Sequence, residues 1–126
     1  METLKKYHIQ TENPELYERA FTHTSYANEM GTESYERLEY LGDAVLELFV
    51  SNYLYHKEDM EEGEMTKKRS HLVCENALFL YSTRLGLNDD LRLGKGELEN
   101  GGKYRKAIVA DIFESFLGAL YLDKGY

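Results

Sequence analysis

Six acidic residues are spaced so that they could converge. Glu36, Glu39, Asp43 and Glu47 recur every three or four positions. At about 100° per residue a helix gathers them into an arc of roughly 80°. Such a stripe is costly without a cation, because a carboxylate pair ~6 Å apart repels by about 3 kcal/mol at an effective dielectric of about 20. Asp111 and Glu114 stand three apart and would share one face of a second helix. Two carboxylates from each of two helices suit a hard divalent ion, Mg²⁺ or Mn²⁺, which prefers oxygen ligands. Zinc would call for Cys and His ligands, and the Glu-x-x-His of di-iron bundles does not occur. Spacing alone leaves two readings open: a divalent-ion site, or a set of solvated and structural acids.

Helices must carry these residues. One proline in the chain, no two-residue hairpin signal and little period-two alternation predict an all-α fold. The acid stripe falls in a helix opened by Ser34 and running to about His56. There Leu38, Leu41, Val45, Leu48 and Phe49 have the spacing of a core face. Tyr40, Leu46 and Val50 are apolar on another side, which predicts a helix largely surrounded. Gly42, in mid-helix, costs about 1 kcal/mol against alanine unless something packs close to it. Asp111 and Glu114 belong to a last helix from Tyr104 to Leu122, stopped by Lys124-Gly125. Its small residues Ala110, Gly118 and Ala119 would admit a close neighbour.

The remaining elements are weaker. METLKKYHIQ supports one helical turn, and Asn13-Pro14-Glu15 starts a helix to about Phe21, with Asn13 as its cap. An acidic link from Glu58 to Glu64 leads into helices over Thr66–Val73 and Glu75–Leu85, the second ended by Gly86. Four glycines in residues 94–103 predict a loop.

Composition sets the class. The 126 residues, 42% hydrophobic and 30% charged, fit one soluble domain. No stretch approaches the ~20 apolar residues of a membrane helix. The single cysteine, Cys74, forms no internal disulfide, which favours a reducing cytoplasm; it is expected to be buried packing or a helix-junction residue. A formal charge of −8 works against sequence-independent grip on a polyanion.

Residues 36–46, ERLEYLGDAVL, resemble the signature of ribonuclease III endonuclease domains. The resemblance extends to FTHTSYANE (21–29), EGEMTKKRSHLV (62–73) and LGKGELENGGKYRKAIVADIFESFLGALYLDKG (93–125). Several motifs in order make a specific match over nearly the whole chain. The resemblance implies a homodimeric all-α domain that hydrolyses double-stranded RNA with Mg²⁺, leaving 5′-phosphate and 3′-hydroxyl ends. It assigns Glu39, Asp43, Asp111 and Glu114 to the metal site, Asp43 and Glu114 as catalytic, with Glu36 and Glu62 as accessory acids. Full bacterial members append a double-stranded-RNA-binding domain and usually carry one more helix after the position of Tyr126. The expectation is therefore an endonuclease domain over 1–126 without these additions. ADIFES departs from the common ADAFEA but keeps the acid spacing.

By the same resemblance Tyr40 is an aromatic knob for the partner subunit, its competing reading being ordinary core. Lys95, Lys103, Arg105 and Lys106 are phosphate contacts or merely solvated, as are Lys67, Lys68 and Arg69. Gly94-Lys95-Gly96 and Gly101-Gly102-Lys103 lack the GxxxxGK[ST] pattern, so no nucleotide cofactor is expected. His23 reads as a satisfied structural residue. Two rival functions share the pattern: a non-cutting dimeric interaction or RNA-binding module, and a helical phosphohydrolase of small molecules.

Overall fold

The computed structural model describes residues 1–57 and 59–126; Glu58, the first residue of the expected acidic link, lies outside them. Among the described residues eight α-helices follow in order: α1 (Glu2–Lys6), α2 (Pro14–Ala20), α3 (Thr24–Met30), α4 (Glu36–Tyr55), α5 (Glu62–Leu72), α6 (Glu75–Leu85), α7 (Lys95–Glu99) and α8 (Lys106–Lys124). Single 3₁₀ turns at Leu87–Asp90 and Gly102–Tyr104 complete the chain. Among the described residues no strand forms beyond one parallel bridge between Thr22 and Arg92. The fold is all-α.

α8 is the central element, packed chiefly against α4 and α6 and also against α2. Gly42 explains how α4 comes so close. A Cβ built there would sit 1.6 Å from the Glu114 carbonyl oxygen, and one on Gly118 would sit 2.3 Å from the Leu38 carbonyl oxygen. The two backbones touch where either glycine would otherwise hold a side chain, so the mid-helix glycine has the close neighbour its cost demanded. Around this crossing the core gathers Tyr17, Phe21, Leu38, Leu87, Ile112 and Phe116, with a second cluster on Leu46, Val50, Leu54 and Leu78.

The buried stripe of α4 differs from the expected one. It runs Leu38, Gly42, Leu46, Val50 and Leu54, one residue in four, drifting around the helix as it follows α8. Leu48 and Phe49, expected in the core, are exposed, while Leu46 and Val50 take their place. Tyr40 is 84% exposed, which excludes the ordinary-core reading within a single chain. The helix is covered on one side and presents apolar residues on the other.

Other corrections are local. Asn13 precedes α2, with Pro14 at the helix's first turn, but makes no side-chain cap bond. α4 begins at Glu36, with the Ser34 hydroxyl accepting from the Glu36 amide at 3.3 Å. α5 begins at Glu62, absorbing part of the acidic link. The glycine-rich stretch 94–103 is not all loop, because α7 forms between Gly94 and Asn100. α3 is an element without an apolar period in sequence. It forms because the His23 side chain accepts from the Ser25 amide at 3.1 Å and left-handed Gly31 ends it. Cys74 is exposed at the α5–α6 junction, not buried.

Candidate metal centre

α4 and α8 cross with Glu39, Asp111 and Glu114 on facing sides. One carboxylate oxygen from each lies within 4.8 Å of the others. Among the described residues none of the three has a basic side chain within salt-bridge distance. Asp43, one helical turn beyond Glu39, sits at the exposed rim in hydrogen-bonding contact with Glu114. The structure thus brings together three of the four expected ligands, with the fourth beside them.

The electrostatics follow from that crowding. Glu114 is only 9% exposed, and its pKa is pushed up to about 8. Burial is the main cause, followed by its hydrogen bond with Asp43 and the charges of Asp43, Glu39 and Asp111. Glu39 is raised to about 7 by burial first and by Asp111 second. Asp111 is also raised by burial, against the opposing effect of hydrogen bonds from Tyr35 and Glu39. A hydrogen bond between two carboxyl groups requires a proton on one of them. Near neutral pH the pocket holds protons where a cation would sit.

The other candidates separate into groups. Glu36 is exposed on the rim, accepting from Ser34 Oγ at 3.1 Å and Thr24 Oγ1 at 3.4 Å. Glu47, the last acid of the stripe, stays outside the cluster and pairs with Arg69 at 3.1 Å. Glu62 opens α5 and lines a separate cleft of about 300 Å³ with Ser51, Met65 and Arg69. The basic residues divide likewise. Arg105 pairs with Glu97 at 2.9 Å, and Lys106 donates to Asn76 Oδ1 at 2.6 Å. Arg69 is tied to Glu47 and Ser51. Lys67, Lys68 and Lys95 are exposed and Lys103 is half-buried.

Sequence reasoning missed two residues that shape the pocket. Tyr35 donates to Asp111 Oδ2 at 3.4 Å and stacks on His23 with ring centroids 5.8 Å apart. Burial and the Asp111 charge push the Tyr35 hydroxyl up from its ordinary pKa, so it stays a donor. Glu75, at the start of α6, is near enough for its charge to bear on Asp111. Tyr35 immediately precedes the ERLEYLGDAVL signature and His23 lies inside FTHTSYANE, which was the available signal.

Residues 13–126 match the family model described as Ribonuclease-III-like. The chain belongs to the ribonuclease III family. Ribonuclease 3 of Listeria welshimeri is 56% identical over 115 residues, covering 88% of this chain and 50% of that protein. Ribonuclease 3 of Staphylococcus aureus is 48% identical over 118 residues, covering 90% and 49%. The chain thus spans about half the length of these relatives. Among solved structures, the nuclease domain of Campylobacter jejuni ribonuclease III superposes with a TM-score of 0.90 at 35% identity, covering 98% of this chain and 85% of that one. That domain has been described as flexible in the region involved in its dimer formation. Dicer from Pichia stipitis matches with a TM-score of 0.65 at 32% identity, over 90% of this chain and 46% of Dicer. The glycine-mediated crossing and the acids it gathers are therefore read within the ribonuclease III fold. Among the described residues no helix is long and apolar enough to cross a membrane.

Proposed function

We propose that residues 1–126 are an endonuclease domain that hydrolyses double-stranded RNA with a divalent cation, Mg²⁺ or Mn²⁺, acting in the cytoplasm as a homodimer. The observation that carries this reading is the meeting of Glu39, Asp111 and Glu114 within 4.8 Å with no basic partner among the described residues. An all-oxygen, multiply acidic donor set fits a hard divalent ion and suits no soft one. Glu39, Asp111 and Glu114 would hold it, with Asp43 completing the set from the rim. When bound, such an ion supplies a Lewis acid that neutralises phosphate charge and acidifies water.

The protein's own groups do the rest. Tyr35 fixes one oxygen of Asp111 and so limits how the carboxylate can turn. Glu114, its pKa pushed up to about 8, carries a proton near neutral pH that a bound cation would displace. Attack of water on phosphorus with cleavage of the P–O3′ bond puts the water oxygen on the 5′-phosphate and a proton on the departing 3′-oxygen, leaving 5′-phosphate and 3′-hydroxyl ends. In a homodimer two such pockets would cut opposite strands across a minor groove, giving short 3′ overhangs. Tyr40, exposed beside a cleft of about 790 Å³ lined by Arg19, Arg37, Leu41 and Leu122, suits a knob for that cleft in a second copy. Two-fold symmetry makes the contact twice.

Long RNA duplex incubated with the purified chain in Mg²⁺ tests the reading. Cleavage to 5′-phosphate ends is expected, lost in EDTA and in both Asp43→Asn and Glu114→Gln, with single-stranded RNA spared. A chain that binds duplex RNA without cutting it would contradict the proposal and favour the interaction module. Tyr40→Ala should sediment as a monomer at micromolar concentration; an unchanged dimer would remove Tyr40 from the interface.

A further inference from the structure

Residues 91–95 run as an extended strap beside residues 21–25. The Arg92 amide donates to the Phe21 carbonyl at 2.8 Å, and the His23 amide donates to the Arg92 carbonyl at 3.0 Å. Beyond this bridge, side chains take over. The Gly94 amide donates to Ser25 Oγ at 2.8 Å, and the Lys95 amide donates to Glu29 Oε2 at 2.7 Å. Gly94 is enclosed, since a Cβ there would lie 2.5 Å from Glu29 Oε2 and 2.8 Å from the Ser25 carbonyl oxygen. One short helix, α3, thus satisfies two successive amides at the start of α7.

This arrangement decides how the strap can meet an anion. Both amides are already occupied, so neither is free to receive a phosphate. Lys95 remains. Its side chain is exposed and has no hydrogen bond or ion pair among the described residues, whereas Arg105 and Lys106 are held within the fold. The strap also hangs from the wall of the acid pocket. Ser25 Oγ lies 2.8 Å from His23 Nδ1, and His23 stacks on Tyr35, whose hydroxyl donates to Asp111.

We infer that Glu29 and Ser25 are positioning residues: by holding the Gly94–Lys95 backbone they direct the Lys95 ammonium to a phosphate of a duplex lying across the acid pocket. The inference rests on the duplex-RNA reading above. It also carries an unusual sign. Removing an acid close to a bound polyanion should by charge alone tighten binding. Loss of positioning should weaken it.

A double-mutant cycle on the full chain tests this, with cleavage of an RNA duplex in Mg²⁺ and the salt dependence of duplex binding in EDTA as readouts. Lys95→Ala and Glu29→Ala should each raise KM roughly three- to tenfold with kcat near the parental value. Each should also lower the salt slope by about one. The double variant should be no worse than Lys95→Ala alone. Glu29→Gln keeps an oxygen acceptor for the Lys95 amide and should restore parental or tighter binding. Should Glu29→Ala fail to fold, Ser25→Ala takes its place in the cycle. Additive losses, or tighter binding by Glu29→Ala, would overturn the positioning role while leaving the nuclease reading intact. A parent that neither binds nor cuts the duplex would overturn both.

Discussion

Glu39 and Glu47 lie on the same face of α4, about two turns apart, and meet opposite surroundings. Glu47 pairs with Arg69 at 3.1 Å, and both side chains stay 40% exposed. Glu39 faces Asp111 and Glu114 in a half-buried pocket with no base among the described residues. The outer pair is a satisfied, solvent-screened contact between α4 and α5. The inner cluster is left without compensation, and its acids respond by holding protons near neutral pH. Folding neutralises its acids where a base will serve and leaves them crowded where two glycine-bearing helices touch. A pocket whose acids hold protons for want of a base is one in which a cation could take the protons' place.

The contrast can be broken most severely at the crossing. Gly42→Ala would drive a Cβ to within 1.6 Å of the Glu114 carbonyl oxygen. Separating the helices should cost about 3 kcal/mol, read as a lower melting temperature, together with loss of cutting. Next comes Glu114→Gln, which should abolish Mg²⁺-dependent cleavage yet raise the melting temperature of the metal-free protein at pH 8, because it removes a buried charge from among like charges. The pH dependence sharpens the same point. Glu39 and Glu114 bind protons more tightly folded than unfolded, with pKa values near 7 and 8 against 4.5. Their contribution is therefore most favourable below about 4.5 and declines as pH rises through 8. Thermal melts in EDTA should lose stability over that window in the parent and lose less in Glu114→Gln. Glu47→Gln should do least: an exposed ion pair is worth about 0–1 kcal/mol, and cleavage should continue at the parental rate.

Much of this was legible in the residues. The helical spacing of Glu39 and Asp43, the Asp111–Glu114 pair and the small residues Gly42 and Gly118 together implied two helices in close contact with acids between them. The resemblance carried by ERLEYLGDAVL and ADIFES then assigned a chemistry to that contact. What escaped was set by tertiary geometry. The helical period alone could not tell that the core face of α4 drifts, so Leu48 and Phe49, placed on that face, lie exposed. Glu47 was indistinguishable from Glu39 until α5 brought Arg69 to it. α3 had no apolar period to reveal it, being held by a histidine cap and by its side-chain bonds to the Gly94–Lys95 strap. Tyr35 became part of the pocket only when α8 placed Asp111 opposite its hydroxyl.

The central claim, that these carboxylates converge to exchange protons for a divalent cation, is tested most directly by titration calorimetry with Mn²⁺ in buffers of different ionisation enthalpy at pH 7. Glu39 and Glu114 titrate near 7 and 8, so binding should release about one to two protons per site at pH 7 and close to none at pH 9. Glu114→Gln should release fewer and bind more weakly. Binding with no proton release at pH 7, or equal binding by Glu114→Gln and the parent, would contradict the account.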